Sequence, residues 1–204
     1  MNSTEYLAPI ATILSGITAG IIIVSDDLRL RLGMLVLQYV CVTGLISLTI
    51  PLNISIIKLA AGWVACLVIG ITIAQKDRYR ALTRVGALPT GWVFRMIAVL
   101  MISTSAIGIG QFSLIDLLGI RKVSVASTLL LIGLGILQIG LTEDPIGVGM
   151  GLLIVISGFE ILYSALEPSL AVMALMASIH IGIALVVSII SIDVKEHGDR
   201  EVSE

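Results

Sequence analysis

This chain has little charge. Asp, Glu, Lys and Arg make up only 13% of its 204 residues, against 57% hydrophobic, and the mean hydropathy is +1.11. A water-soluble domain has nowhere to put so much apolar surface, so the solvent for most of the chain is lipid. The few charges nearly cancel, to a net −2, which offers nucleic acid no basic surface. Cysteine is scarcer still. Cys41 and Cys66 both sit inside apolar runs and read as small hydrophobes, which excludes a disulfide framework. No Gly-rich loop follows a strand, no His/Cys cluster has metal-ligand spacing, and no nucleophile stands beside a base. The chain is therefore expected to carry no catalytic residue, metal or cofactor of its own. His180 is alone in its apolar segment and His197 lies in a charged tail, so neither makes a haem site.

What is present is a set of seven apolar segments, at 7–24, 32–49, 52–74, 93–111, 124–141, 146–166 and 169–192. Each approaches the roughly 20 residues that a helix needs to cross a hydrocarbon core of about 30 Å. The predicted fold is all-α, a polytopic membrane protein of about seven transmembrane helices. The first segment has no basic n-region and no cleavage site, and reads as a retained membrane helix, not a signal peptide. Tight turns at Thr49–Asn53 and Leu166–Ser169 each hold a proline, Pro51 and Pro168, where a helix begins. A missing N–H costs nothing at that position. Helices so closely joined pack as antiparallel neighbours.

Basic residues set the expected orientation. Arg29, Arg31, Lys76, Arg78, Arg80, Arg84, Lys195 and Arg200 fall on one side of the membrane, and only Arg121 and Lys122 on the other. The positive-inside rule then puts the N-terminus outside and the C-terminus in the cytoplasm. The segment 112–120 is short and amphipathic and is expected in the outer interface. The two ends of the chain also resemble one another. A shift of about 117 brings Ser25-Asp-Asp27 onto Thr142-Glu-Asp144, Gly16 onto Gly133 and Pro51 onto Pro168, a repeat of the kind transporter-like proteins carry. The organisation read from this is a three-helix unit over 1–75, then a basic loop, linking helix and interfacial segment over 76–123. A second three-helix unit over 124–192, in the same orientation, and a charged tail over 193–204 complete it.

Against this background Glu160 stands out, an ionisable side chain in the middle of an apolar span. Such groups are costly in lipid and face a bundle interior or a water-filled path. Ser157, Glu160, Ser164 and Glu167 recur at three- and four-residue steps and form one polar stripe. Counting about 1.5 Å per residue from Pro168, Glu160 lies about 12 Å deep, Ser178 about 15 Å and His180 about 18 Å. Glu160 and His180 could hand a proton along with Ser178 or water between them, although Ser178 and His180 point to different sides of their helix. Lys58, about 9 Å inside the third span, suits reversible protonation, and Gln38 sits mid-span on the second. Each also has a plainer reading. Lys58 can snorkel to the surface, His180 can bond a backbone carbonyl, Gln38 can act as interhelical glue, and Glu167 can be an exposed turn residue. A structural carboxylate at Glu160 would need a cation, and none is close in sequence. Ala174, Ser178 and Gly182 form a small-residue ridge for helix packing, and Gly147 and Gly151 match the same small-xxx-small pattern.

These residues carry a resemblance. Leu131-Ile-Gly-Leu-Gly-Ile, a short acidic loop, Gly158-Phe-Glu160 and Ala177-Ser-Ile-His-Ile-Gly-Ile-Ala-Leu185 resemble the K subunit of bacterial complex I and the C subunit of multisubunit cation/proton antiporters. In length and span count, the chain is similar to the membrane component E of hydrogenase-4. The stretch Arg29-Leu-Arg-Leu-Gly33-Met-Leu-Val-Leu-Gln38 and the position of Lys58 fit that component too. The resemblance implies that Glu160 is a proton-channel glutamate. It also implies a second acid on the last helix where this chain has Ser178, a departure that leaves His180 to substitute or the path interrupted.

The expectation is a non-catalytic subunit of a complex-I-like or group 4 hydrogenase-like respiratory assembly in a prokaryotic cytoplasmic membrane. It would help to translocate protons or cations. The partners implied are antiporter-like membrane subunits and peripheral redox subunits, where any iron–sulfur or nickel centres would reside. Two other classes compete with it. One is a purely structural scaffold subunit of a large membrane complex. The other is a free-standing small ion or solute transporter, against which stands the lack of a broken helix.

Overall fold

The computed structural model describes residues 3–80, 91–111, 122–166 and 169–203. The interfacial segment expected at 112–120, Arg84 and the Glu167-Pro168 turn lie outside the described residues. Seven helices are found there and no strand: α1 Ser3–Val24, α2 Leu28–Ile46, α3 Leu52–Arg80, α4 Trp92–Gly110, α5 Lys122–Gly140, α6 Pro145–Leu166 and α7 Leu170–Ser203. Each contains a stretch long and apolar enough to cross a membrane. The chain is a multi-pass membrane protein.

Local chemistry sets the helix ends. Asp27, in extended backbone, caps α2 by accepting the Arg29 N–H at 3.0 Å. That cap starts α2 four residues ahead of the expected span at 32. The charged residues Arg29 and Arg31 lie outside the apolar segment, but a helix extends as far as its cap allows. Pro145 opens α6 at the position where proline is tolerated. Most hydroxyls are satisfied within their own helix. Thr12, Thr43, Thr72, Ser103 and Ser178 each bond the carbonyl four residues back, as lipid requires of a group that finds no water.

The helices form two rows. In one row α2 packs between α1 and α3, and in the other α6 packs between α5 and α7. The rows lie face to face, with α1 on α5, α2 on α6 and α3 on α7, while α4 packs on the α1–α5 end. Three hydroxyl pairs join the rows: Thr12 with Ser127 at 2.7 Å, Thr49 with Ser164 at 3.4 Å and Thr72 with Ser188 at 2.7 Å. Each pair spans 115 or 116 positions, close to the shift at which the two ends of the sequence align. Counterpart helices thus touch at matching heights. The core between them is apolar and closed, with Ile22, Leu35, Ile69, Leu134, Met150 and Ile154 all fully buried.

The tightest crossing is between α5 and α6. A Cβ added to Gly135 would stand 2.8 Å from the Gly151 carbonyl oxygen, and one added to Gly151 would stand 2.9 Å from the Gly135 carbonyl oxygen. Backbone cannot swing aside as a flexible side chain can. Gly135→Ala and Gly151→Ala are each expected to lower stability by about 1–3 kcal/mol, read as an earlier thermal melt in detergent. Gly147 is equally enclosed, against Thr142. Ala174 and Gly182 are not enclosed in this way among the described residues. Ala174 is exposed, and a Cβ on Gly182 would meet no atom within 4 Å.

Candidate functional site: a buried ion pair between the two helix rows

Three ionisable residues of the apolar spans converge from three helices, α3, α6 and α7. Lys58 on α3 forms an ion pair with Glu160 on α6, and both side chains are under 5% exposed. The cation that Glu160 lacks in its own neighbourhood of sequence is therefore supplied from the opposite row. Lys58 does not snorkel, because its counter-charge lies inward. His180 on α7 completes the cluster, with Nδ1 3.7 Å from Glu160 Oε1 and 2.8 Å from the Met176 carbonyl. A carbonyl can only accept, so Nδ1 carries the proton and faces both oxygens. His180 Nε2 makes no hydrogen bond among the described residues.

Tyr39 of α2, which the spacing of polar residues does not single out, holds the cluster in place. It is 1% exposed. Its ring meets the His180 ring edge-on, with centroids 5.6 Å apart, and the Lys58 ammonium stands 5.8 Å from its centroid, within reach of a cation–π attraction. Gly62, one turn along α3 from Lys58, makes room for this ring, since a Cβ there would collide with it. A glycine facing an aromatic at matching depth on adjoining helices is the one sequence signal that could have located Tyr39.

The remaining candidates fall in different places. Gln38 is buried, but neither amide atom has a hydrogen-bond partner among the described residues, so the structure shows no interhelical bond for it. Ser178 is on the exposed face of α7, bonded to Ala174 O at 2.9 Å. It cannot stand between Glu160 and His180. Two residues turn a helix through about 200°, so if His180 faces inward then Ser178 faces out. Ser157 and Ser164 of the expected stripe are buried beside Glu160 on the inner face of α6.

The surroundings of the pair are unequal along the bundle. Toward the turn at Pro51 they are polar: Ser164 lies one helical turn from Glu160 and meets Thr49 of that turn, and Ser55 lies one turn from Lys58. In the other direction Ser157 and Gln38 are also buried, and beyond them the packing is closed and apolar, with Ala65, Ile69, Met150, Ile154 and Ala184 at 0% exposure. The next polar contact on that side is Thr72 with Ser188, about 12 Å beyond His180 along α7.

A second charged cluster closes the far end of the first row. Asp26 accepts from Arg95 of α4 at 2.8 Å, and Arg31 of α2 lies 3.9 Å away. Both arginines are buried while Asp26 is 71% exposed. Arg31 Nε also donates to the Ser25 carbonyl. No group of three or more His, Cys, Asp or Glu able to hold a metal occurs among the described residues. No family model, curated protein or solved structure matches the chain.

Proposed function

We propose that this chain is a non-catalytic membrane subunit of a complex-I-like or group 4 hydrogenase-like respiratory assembly. In this reading it contributes to proton or cation translocation through Glu160, assisted by Lys58 and His180. The observation that carries it is the buried Lys58–Glu160–His180 cluster, three ionisable groups brought together at membrane depth from opposite rows of helices. Intramembrane groups of this kind mark ion pathways and proton relays. Polar residues reach the cluster from the Pro51 turn, which supports exchange with one side. The resemblance to subunit K and to component E supplies the assembly. The positions of the basic residues support an outside N-terminus and a cytoplasmic C-terminus in a prokaryotic cytoplasmic membrane. The partner of Glu160 is a lysine from α3, not an acid from α7, so a proton would move within a charged pair and not between two carboxylates. The experiment is gentle detergent purification from the native membrane and identification of what co-purifies. Partners bearing iron–sulfur or nickel centres are expected, and a chain that purifies alone would sink the assignment.

One observation favours a second reading, a scaffold subunit that moves no proton. Lys58 compensates Glu160, so the carboxylate no longer requires a functional explanation. On either reading the outward ridge of α7 is free to meet a partner subunit. Ala174→Leu and Gly182→Leu are expected to change the stability of the isolated chain by no more than about 0.5 kcal/mol, while reducing recovery of co-purifying subunits. Unchanged recovery with both variants would show that α7 faces only lipid.

A further inference from the structure

The two helix rows bury opposite sides. Shifting residue numbers by 117 carries Gly16 to Gly133 and Pro51 to Pro168, and so gives residues of the first row counterparts in the second. Of the nine buried residues of α2, only Cys41 has a buried counterpart on α6, Gly158. On α3, Lys58, Ile69 and Thr72 are buried, and their counterparts Leu175, Val186 and Ile189 on α7 are each more than half exposed. In reverse, Met173, His180 and Ala184 of α7 are buried, while their counterparts Ile56, Trp63 and Leu67 on α3 are exposed. A two-fold axis between the rows would bury the same side of both and set α1 against α7. Here α1 meets α5 and α3 meets α7, and the buried sides are opposite. The second row is therefore the first one displaced sideways in the membrane, with the front of one row on the back of the other. Such a contact is heterologous, and it leaves one front and one back unused.

The unused front is that of α6 and α7, since α4 covers part of α5, with Ile102 against Gly133. The unused back is that of α2 and α3. Both are uncharged where the inner faces carry the ion pair. Leu175 stands in the place of Lys58, Thr43 in that of Glu160 and Trp63 in that of His180. A foreign row bringing an acid at this height would bury it against Leu175 with no cation, whereas the back of this chain's own first row brings none. We propose that the α6–α7 front seats the α2–α3 back of a second copy of this chain, repeating the contact between its own two rows. The repeat fixes the register. Thr72 meets Ser188 within the chain. The same shift applied to both places Ile189 against Ile71 of the second copy, and both residues are exposed. The inference names the neighbour of the α7 ridge and does not depend on whether Glu160 moves protons.

The test is oxidative crosslinking of the full chain in native membranes. Ile71→Cys and Ile189→Cys are made singly, on copies bearing different tags. Both positions face outward, and the native Cys41 and Cys66 are buried. Membranes holding both variants are expected to form a disulfide-linked dimer, and membranes holding either variant alone are not. Pairing Ile71→Cys with Ile97→Cys, on the exposed side of α4, sets the level of chance collision. Gly182→Leu, added to both variants, should lower the yield about tenfold, within the range that overpacking a close contact costs, because its counterpart Ala65 is fully buried. A mixed yield no higher than chance would overturn the proposal. An equal yield from one variant alone would show a two-fold contact and overturn it as well. A photocrosslinker at position 189 should capture a second copy. Capture of a different polypeptide would overturn the assignment and leave the co-purification test of the proposed function untouched.

Discussion

Glu160→Gln is expected to stop proton translocation and, in the same variant, to lower stability by about 3–5 kcal/mol, because it strands Lys58 as an uncompensated buried charge. Lys58→Met should cost a similar amount for the opposite reason. The double variant separates structure from function. With both charges gone, the interior is apolar with one neutral amide, and such replacements of buried ion pairs are often neutral or stabilising. Lys58→Met/Glu160→Gln should therefore melt close to the unmodified protein. If Glu160 is a working proton station, the double variant still translocates nothing when the whole assembly is assayed for proton uptake in liposomes. Normal translocation by a stable double variant would leave the scaffold reading standing alone. The stability arm has its own failure mode: a double variant that unfolds as readily as either single one would mean that Lys58 and Glu160 do not compensate each other.

Tyr39→Ala should be the most damaging change that touches no charge. It removes a fully buried ring on which His180 and Lys58 both rest, and large-to-small changes of this size cost about 3–5 kcal/mol. Tyr39→Phe is predicted to differ sharply. The Tyr39 hydroxyl faces Ser157 but makes no hydrogen bond of ordinary geometry among the described residues, so its removal should shift the melting temperature little. A stable Tyr39→Phe variant with slowed translocation would add the hydroxyl to the proton path; unchanged translocation would confine Tyr39 to holding the rings and the ammonium in place. Gly62→Val, which drives a side chain into the same ring, should reproduce the alanine phenotype from the other side of the contact.

The seven spans were legible because lipid imposes a single rule on a sequence, an apolar stretch of sufficient length, and the apolar parts of the helices follow it to within a few residues, while α3 runs on to Arg80 and α7 to Ser203. Their pairing was less so. The shift of about 117 relates the two ends, but only the hydroxyl contacts at 115 and 116 positions show that counterpart helices pack on one another. Counting residues from the turns gave Lys58 and Glu160 nearly equal depth, which is the part of their pairing that sequence can express. Which side of a helix faces a particular neighbour depends on contacts made by distant segments, so the partnership itself was not visible. The same blindness led to Ser178. Its depth suited a relay, its azimuth did not, and the small-residue ridge it belongs to faces away from the other six helices. In the sequence Arg31 marks only orientation and Arg95 carries no role, yet both fold inward onto Asp26. An arginine near a helix end carries no sign of whether it points to water or closes a cluster.

The apolar layer beneath the ion pair has an electrical consequence. A transmembrane voltage falls where the medium polarises least, and here that is the closed packing between His180 and the Thr72–Ser188 contact. The Lys58–Glu160 pair lies on the Pro51 side of that packing, with the buried Ser55 and Ser164 between it and the turn. On the proton-translocating reading, a unit charge crossing the bundle would do much of its work over the roughly 12 Å of that packing, out of about 2.3 kcal/mol per 100 mV for the whole crossing. Ile69, Ile154 and Ala184, which carry no charge, would then set that work as much as the ionisable residues do.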